Sequence, residues 1–165
     1  MREKPKESQR PGPVVGVRCS RAGSGVDPRT VRRRAEKILH ALDAAYSELS
    51  ILLCDDELIR DLNREHRDVN SATDVLSFSM QGEDDPADPA RMLGDVVISI
   101  ETAVRQASEH GCSVIDEVTT LLVHGVLHLV GYDHRDNAEE SRMNALARHL
   151  EGIVSRPVKR FRTRK

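Results

Sequence analysis

The stretch SVIDEVTTLLVHGVLHLVGYDH, residues 113–134, reads as one apolar helix with a cap before it and a glycine turn after it. Ser113 and Asp116 have the spacing of a helix-opening cap. Ile115, Val118, Leu122, Val126 and Leu129 then recur on a face that can pack on a sheet. Glu117, Leu121, His124 and His128 share an adjoining stripe. His124 and His128 are four residues apart, so at 3.6 residues per turn their imidazoles lie one above the other. Gly131 accepts the backbone conformation that ends a helix, and it swings His134 back towards the other two. Three imidazoles leave one position of a tetrahedral zinc ion open, as catalytic sites do and closed structural sites do not.

Outward from this helix the chain alternates strand and helix patterns. Strands are expected at 13–18, 47–55, about 74–78 and 93–100. Asp27-Pro28 opens a helix whose buried stripe is Val31, Ala35, Ile38, Leu39 and Leu42, with Arg32, Arg33 and Arg34 facing water. A short helix from Asp56 places Leu58, Ile59 and Leu62 inward and gives way after Asn63 to a polar loop. The strand at 93–100 leads into a helix ending near His110 and Gly111. Asn137 with Glu140 repeats the capping signature and opens a last helix with Met143, Leu146 and Leu150 inward. Four strands and five helices in mixed order indicate an α+β fold, a small mixed sheet packed with helices and carrying the metal site on the central helix. The expected organisation is a disordered N-terminal extension at 1–12, one domain at 13–153 and a basic C-terminal tail at 154–165.

Composition narrows the function. A length of 165 residues suits a single domain, and 25 Lys+Arg against 27 Asp+Glu give a net charge of −2, so any nucleic-acid contact must be local. Cys19, Cys54 and Cys112 are odd in number and show no C-x-x-C spacing, which fits a reducing cytoplasm and argues against a disulfide framework. No apolar run has the roughly 18 residues needed to span a bilayer, so no membrane partner is expected. The absence of Trp, with two Tyr and two Phe, leaves little aromatic surface for stacking bases.

The histidine spacing is that of the metzincin proteases, which place a glutamate general base directly after the first histidine. Here that position is Gly125. The same stretch, HGVLHLVGYDH at 124–134, resembles the signature of the YbeY endoribonucleases. LNREHRDVNSATDVLSF at 62–78 and LGDVVIS at 93–99 resemble that family's other two blocks, in the same order. The resemblance covers roughly residues 13–153. It departs from the usual pattern at His66, Ala72 and Ser79.

The resemblance implies a metal-dependent hydrolase that cuts single-stranded RNA. It also implies a place in maturing the 3′ end of small-subunit ribosomal RNA and in ribosome quality control, with the small subunit or its factors as partners. By position it makes His124, His128 and His134 the metal ligands and Arg67 the catalytic cation. One divalent ion is expected, zinc first, although nickel, cobalt and iron also bind imidazole. Two other readings remain: a ribosome-associated factor whose metal is structural, and a metalloprotease-like hydrolase. Asp133 is placed to orient an imidazole, to act as a base or to cap its turn, while Asp74, Asp95 and Ser77 are expected to be structural.

Overall fold

Strand β2 (Glu48–Cys54) sits inside a four-stranded sheet between β1 (Val14–Cys19) and β4 (Met92–Ser99), and β3 (Val75–Ser79) forms the far edge beyond β4. β1, β2 and β4 run parallel, and β3 is antiparallel to β4 with Ser77 opposite Val96. The computed structural model describes residues 12–20, 25–44, 47–80 and 92–155. The expected extension at 1–12, the loop at 81–90 and the basic tail lie wholly or largely outside them.

The parallel strands carry apolar side chains on both faces, as sheets covered on both sides must. On one face Val15, Leu49, Ile51, Leu53, Val96 and Ile98 join the main core. Against them pack α1 (Pro28–Ala41) and α4 (Val114–Leu129), and α5 (Asn137–Ser155) packs on those two helices. α4 buries ten residues, among them Leu122, Val123, Val126 and Leu127. Each fully buried Val or Leu contributes about 1.5–3 kcal/mol, so this helix is the fold's main apolar anchor. On the opposite face a smaller core of Cys54, Ile59, Leu76 and Val97 is closed by α2 (Asp56–Arg67) through Leu58 and Leu62.

The expected strands and helices are all present, with ends moved by a residue or two. α3 (Ile100–His110) stops at Gly111, whose φ of 67° provides the left-handed cap. Four details differ. α2 does not end after Asn63 but continues through Arg67, because Asp68 takes a left-handed conformation and returns its N–H to the Asn63 carbonyl. Arg34 does not face water: its Nη1 donates to the Ile115 carbonyl, to Asp116 at 2.9 Å and to Thr119, tying α1 to the start of α4. α5 is capped by Asp136 rather than Asn137, since the Asp136 carboxylate accepts the Glu139 N–H at 2.8 Å. That helix also runs through Ser155, two residues past the expected domain end.

Among the described residues no single helix is long and apolar enough to cross a membrane.

Candidate metal centre and arginine groove

The end of α4 brings the histidines to the rim of the sheet. Along the stripe Glu117, Leu121, His124 and His128, burial falls from Glu117 (4 % exposed) through half-buried His124 to exposed His128. Glu117 therefore does not reach the histidines. Its carboxylate accepts from His110 Nδ1 at 2.8 Å and from the Cys112 thiol at 3.5 Å, at the far end of the helix. Past Val130, which caps α4, Gly131 has φ 99° and turns the chain back. His134 then meets His128 edge to face, with ring centroids 5.2 Å apart.

The His128 ring is oriented by the turn it helps to close. Its Nδ1 lies 3.0 Å from the Tyr132 carbonyl oxygen. A carbonyl can only accept, so Nδ1 carries the proton and Nε2 keeps its lone pair. Although the residue is exposed overall, partial desolvation of its ring, then the neighbouring His134 and, more weakly, His124 push the His128 pKa down. They outweigh the Tyr132 carbonyl and Asp133 and favour the neutral form. A neutral imidazole with its second nitrogen held by a backbone carbonyl is the usual state of a metal ligand. The 5.2 Å separation is that of an edge-to-face ring pair, and it is the all-imidazole chemistry of the donors that suits a zinc ion. Among the described residues no group of three or more His, Cys, Asp or Glu side chains is arranged to hold a metal ion. His128 and His134 are in contact, and His124 lies near enough to act on His128 electrostatically.

Arg67 approaches from the other face of the sheet. It stands in the last turn of α2, a helix rather than the loop expected there. Beside it, His66 packs edge-on against Phe78 of β3, centroids 5.0 Å apart. Asn63, buried, donates from its side-chain amide to the Ser71 carbonyl at 2.9 Å and fastens the chain beyond the helix. The Arg67 guanidinium reaches the β3 edge, where Nη2 is 3.5 Å from the Ser77 carbonyl oxygen. That distance is at the outer limit of a hydrogen bond, so the guanidinium is lightly held.

Arg67, Val75, Ser77, Ser79, His128, Leu129 and Asp133 line one groove of about 320 Å³. Thus Arg67 and His128, 61 positions apart in the chain, share a cavity across β3. The sequence reading did not find Val75, Ser79 and Leu129, whose place depends on β3 being the edge strand. Ser77 is structural as expected, its hydroxyl donating to the Gly125 carbonyl at 3.1 Å, but it also lines the groove. Asp133 caps its turn: it accepts from the His134 N–H at 2.8 Å and from Arg135 Nε at 2.9 Å. These two interactions, Arg135 first, hold its carboxyl below the usual aspartate range. Asp74 is likewise structural, accepting from Val75 N and Gln106 Nε2.

Sheet, helices and groove together define a small α+β protein in which His128, in contact with His134, and a lightly held arginine face one groove. A sequence-family profile described as Endoribonuclease YbeY matches residues 19–152. The chain belongs to this family. It is 51% identical to an endoribonuclease YbeY of Heliobacterium modesticaldum over 61% of this chain and 65% of the relative. The Geobacter metallireducens relative of the same name is 45% identical over 76% of this chain and 85% of its own length. For that of Syntrophus aciditrophicus the values are 38%, 77% and 79%. The fold also matches the solution structure of a Thermotoga maritima protein, with a TM-score of 0.61 at 22% identity over 86% of this chain and 89% of the other.

Proposed function

We propose that the protein is a metal-dependent endoribonuclease that cuts single-stranded RNA and acts on precursor ribosomal RNA, at the 3′ end of the small-subunit species, and in ribosome quality control. The observation that carries this reading is the placement of Arg67 and His128 on opposite walls of one groove. The groove is open to a flexible polyanion, and the relatives' shared name gives the polymer. The small ribosomal subunit or its factors are the proposed partners, and the cytoplasm the proposed compartment.

His124, His128 and His134 are the residues that would hold the ion, with zinc the first choice for an all-imidazole set. When bound, the ion supplies Lewis-acid charge to a phosphoryl oxygen and acidifies a water. Arg67 serves the same phosphate from the opposite wall. A guanidinium presents paired N–H donors that match two phosphoryl oxygens, and its hold strengthens as charge builds there in the transition state. The long contact to Ser77 is given up at little cost when phosphate arrives. His66 on Phe78, and Asn63 on the following loop, keep the last turn of α2 in place. Asp133 shapes the turn that carries His134, and its two hydrogen bonds leave it a poor base. The protease reading loses ground on Gly125, which is buried against the sheet with no room for a glutamate.

The test is cleavage of a labelled single-stranded RNA by the purified chain and by Arg67→Ala. Loss of one hydrogen-bonding transition-state group costs about 10²–10³ in rate, and melting temperature and metal content stay unchanged because the side chain is exposed. Cleavage by Arg67→Ala at the parent rate, tracking a copurifying nuclease on a sizing column, favours a ribosome-associated factor with a structural metal.

A further inference from the structure

A second cavity of about 300 Å³ opens on the other side of the histidine turn, lined by Gly131, Tyr132, Asp133, Arg135, Glu139 and Arg142. Asp133 lines both cavities, so the turn from Gly131 to Asp133 is the wall between them. Three features of the second cavity have no role in the groove. Tyr132 is one of the few large apolar side chains exposed among the described residues, at 38 %. Glu139 has a carboxylate oxygen, Oε2, that is shut off from solvent and meets no hydrogen-bond donor. Arg142, exposed, lies one position before the buried Met143 and faces the same space.

A buried acceptor without a donor is costly, and native structures keep few of them. The residues around this one match what a splayed nucleotide offers. Bases extruded from single strands stack on aromatic rings and present their Watson–Crick edges to side chains, while Arg takes the phosphate. A carboxylate accepts from the amino groups of cytosine and adenine, whereas uracil offers it only an N3–H set between two carbonyl oxygens that repel it.

We propose that Tyr132, Glu139 and Arg142 form a base-binding subsite for the nucleotide next to the cleaved phosphate, one that prefers an amino-bearing base to uracil. This rests on the RNA-cutting reading of the adjoining groove. A strand crossing the wall at Asp133 leaves its phosphate facing Arg67 and delivers the neighbouring base to Tyr132. Arg135, already paired with Asp133 at 2.9 Å, stiffens that wall.

The experiment is fluorescence anisotropy of the full chain as purified, with short labelled oligouridylate, oligocytidylate and oligoadenylate, read before any cleavage is visible on a gel. The parent chain binds the amino-bearing oligomers about tenfold more tightly than oligouridylate, the discrimination expected of one hydrogen bond to a charged acceptor. Glu139→Gln narrows that preference, because an amide offers one donor as well as one acceptor. Tyr132→Ala weakens every oligomer about tenfold and Tyr132→Phe does not, since stacking needs the ring and not the hydroxyl. If the parent chain binds RNA but both Glu139→Gln and Tyr132→Ala bind all three oligomers as the parent does, the subsite is wrong and the groove reading stands. If the parent chain binds none of them, both fall.

Discussion

Gly125 lies so close to Val96 that a Cβ on it would sit 2.7 Å from Val96 Cγ1 and 3.2 Å from the Ser77 hydroxyl oxygen. The position following the first histidine is thus a packing contact between α4 and the sheet. It presses the histidine-bearing helix against the strands, so that the end of α4 meets β3, α2 and the following turn around the groove. Overpacking of this kind costs about 1–3 kcal/mol. Gly125→Ala is expected to lower unfolding stability by that amount in urea titration, and Gly125→Glu to lower it further without creating peptidase activity. A Gly125→Glu protein that folds as well as the parent and cuts peptides contradicts this placement.

His66, the neighbour of Arg67, packs its ring against Phe78 in an edge-to-face contact. An aromatic ring in this place is a support for the last turn of α2. His66→Tyr is therefore expected to keep RNA cleavage near the parent level. His66→Ala loses an edge-to-face contact of about 0.5–1.5 kcal/mol and lets Arg67 wander, lowering kcat more than it raises KM. Steady-state kinetics on a labelled RNA separates the two, and equal activity of all three proteins removes the support role.

The pair His110–Glu117 predicts a pH effect away from the groove. Hydrogen bonding to Glu117, and then its negative charge, raise the His110 pKa above its ordinary value near 6.5. A raised histidine stabilises the fold fully below the unfolded value and ceases to do so as pH rises through the folded one. Melting temperature is expected to fall from pH 6 towards pH 8 in the parent chain. The decline should be smaller in His110→Gln, whose amide can still donate to Glu117. Parallel curves for the two proteins exclude the pair as the cause.

Much of the fold was legible because local signals agreed with it. α4 could be drawn from Ser113 to Gly131 because cap, apolar spacing and turn glycine all point to the same helix. Two imidazoles on one face, with a third brought back, follow from that alone. Arg67 could be named but not placed, since the run REHR has no apolar spacing and its helix persists through the left-handed Asp68 and the packing of His66 on Phe78. Arg34 reads as one of three surface arginines, and only the docking of α1 on α4 gives it Asp116 and Thr119. The groove itself is a product of strand order. Val75, Ser77 and Ser79 meet Arg67 and His128 because β3 lies outside β4, which no local pattern in the chain specifies.

On the proposed reading His124, His128 and His134 hold the ion used in cutting RNA. The direct measurement is metal content and single-stranded RNA cleavage on the same samples of the parent chain and His128→Ala. The parent is expected to carry about one divalent ion per chain and to cut. His128→Ala is expected to carry almost none and to lose cleavage while remaining folded by circular dichroism. A metal-free His128→Ala protein that cuts RNA at the parent rate contradicts the account.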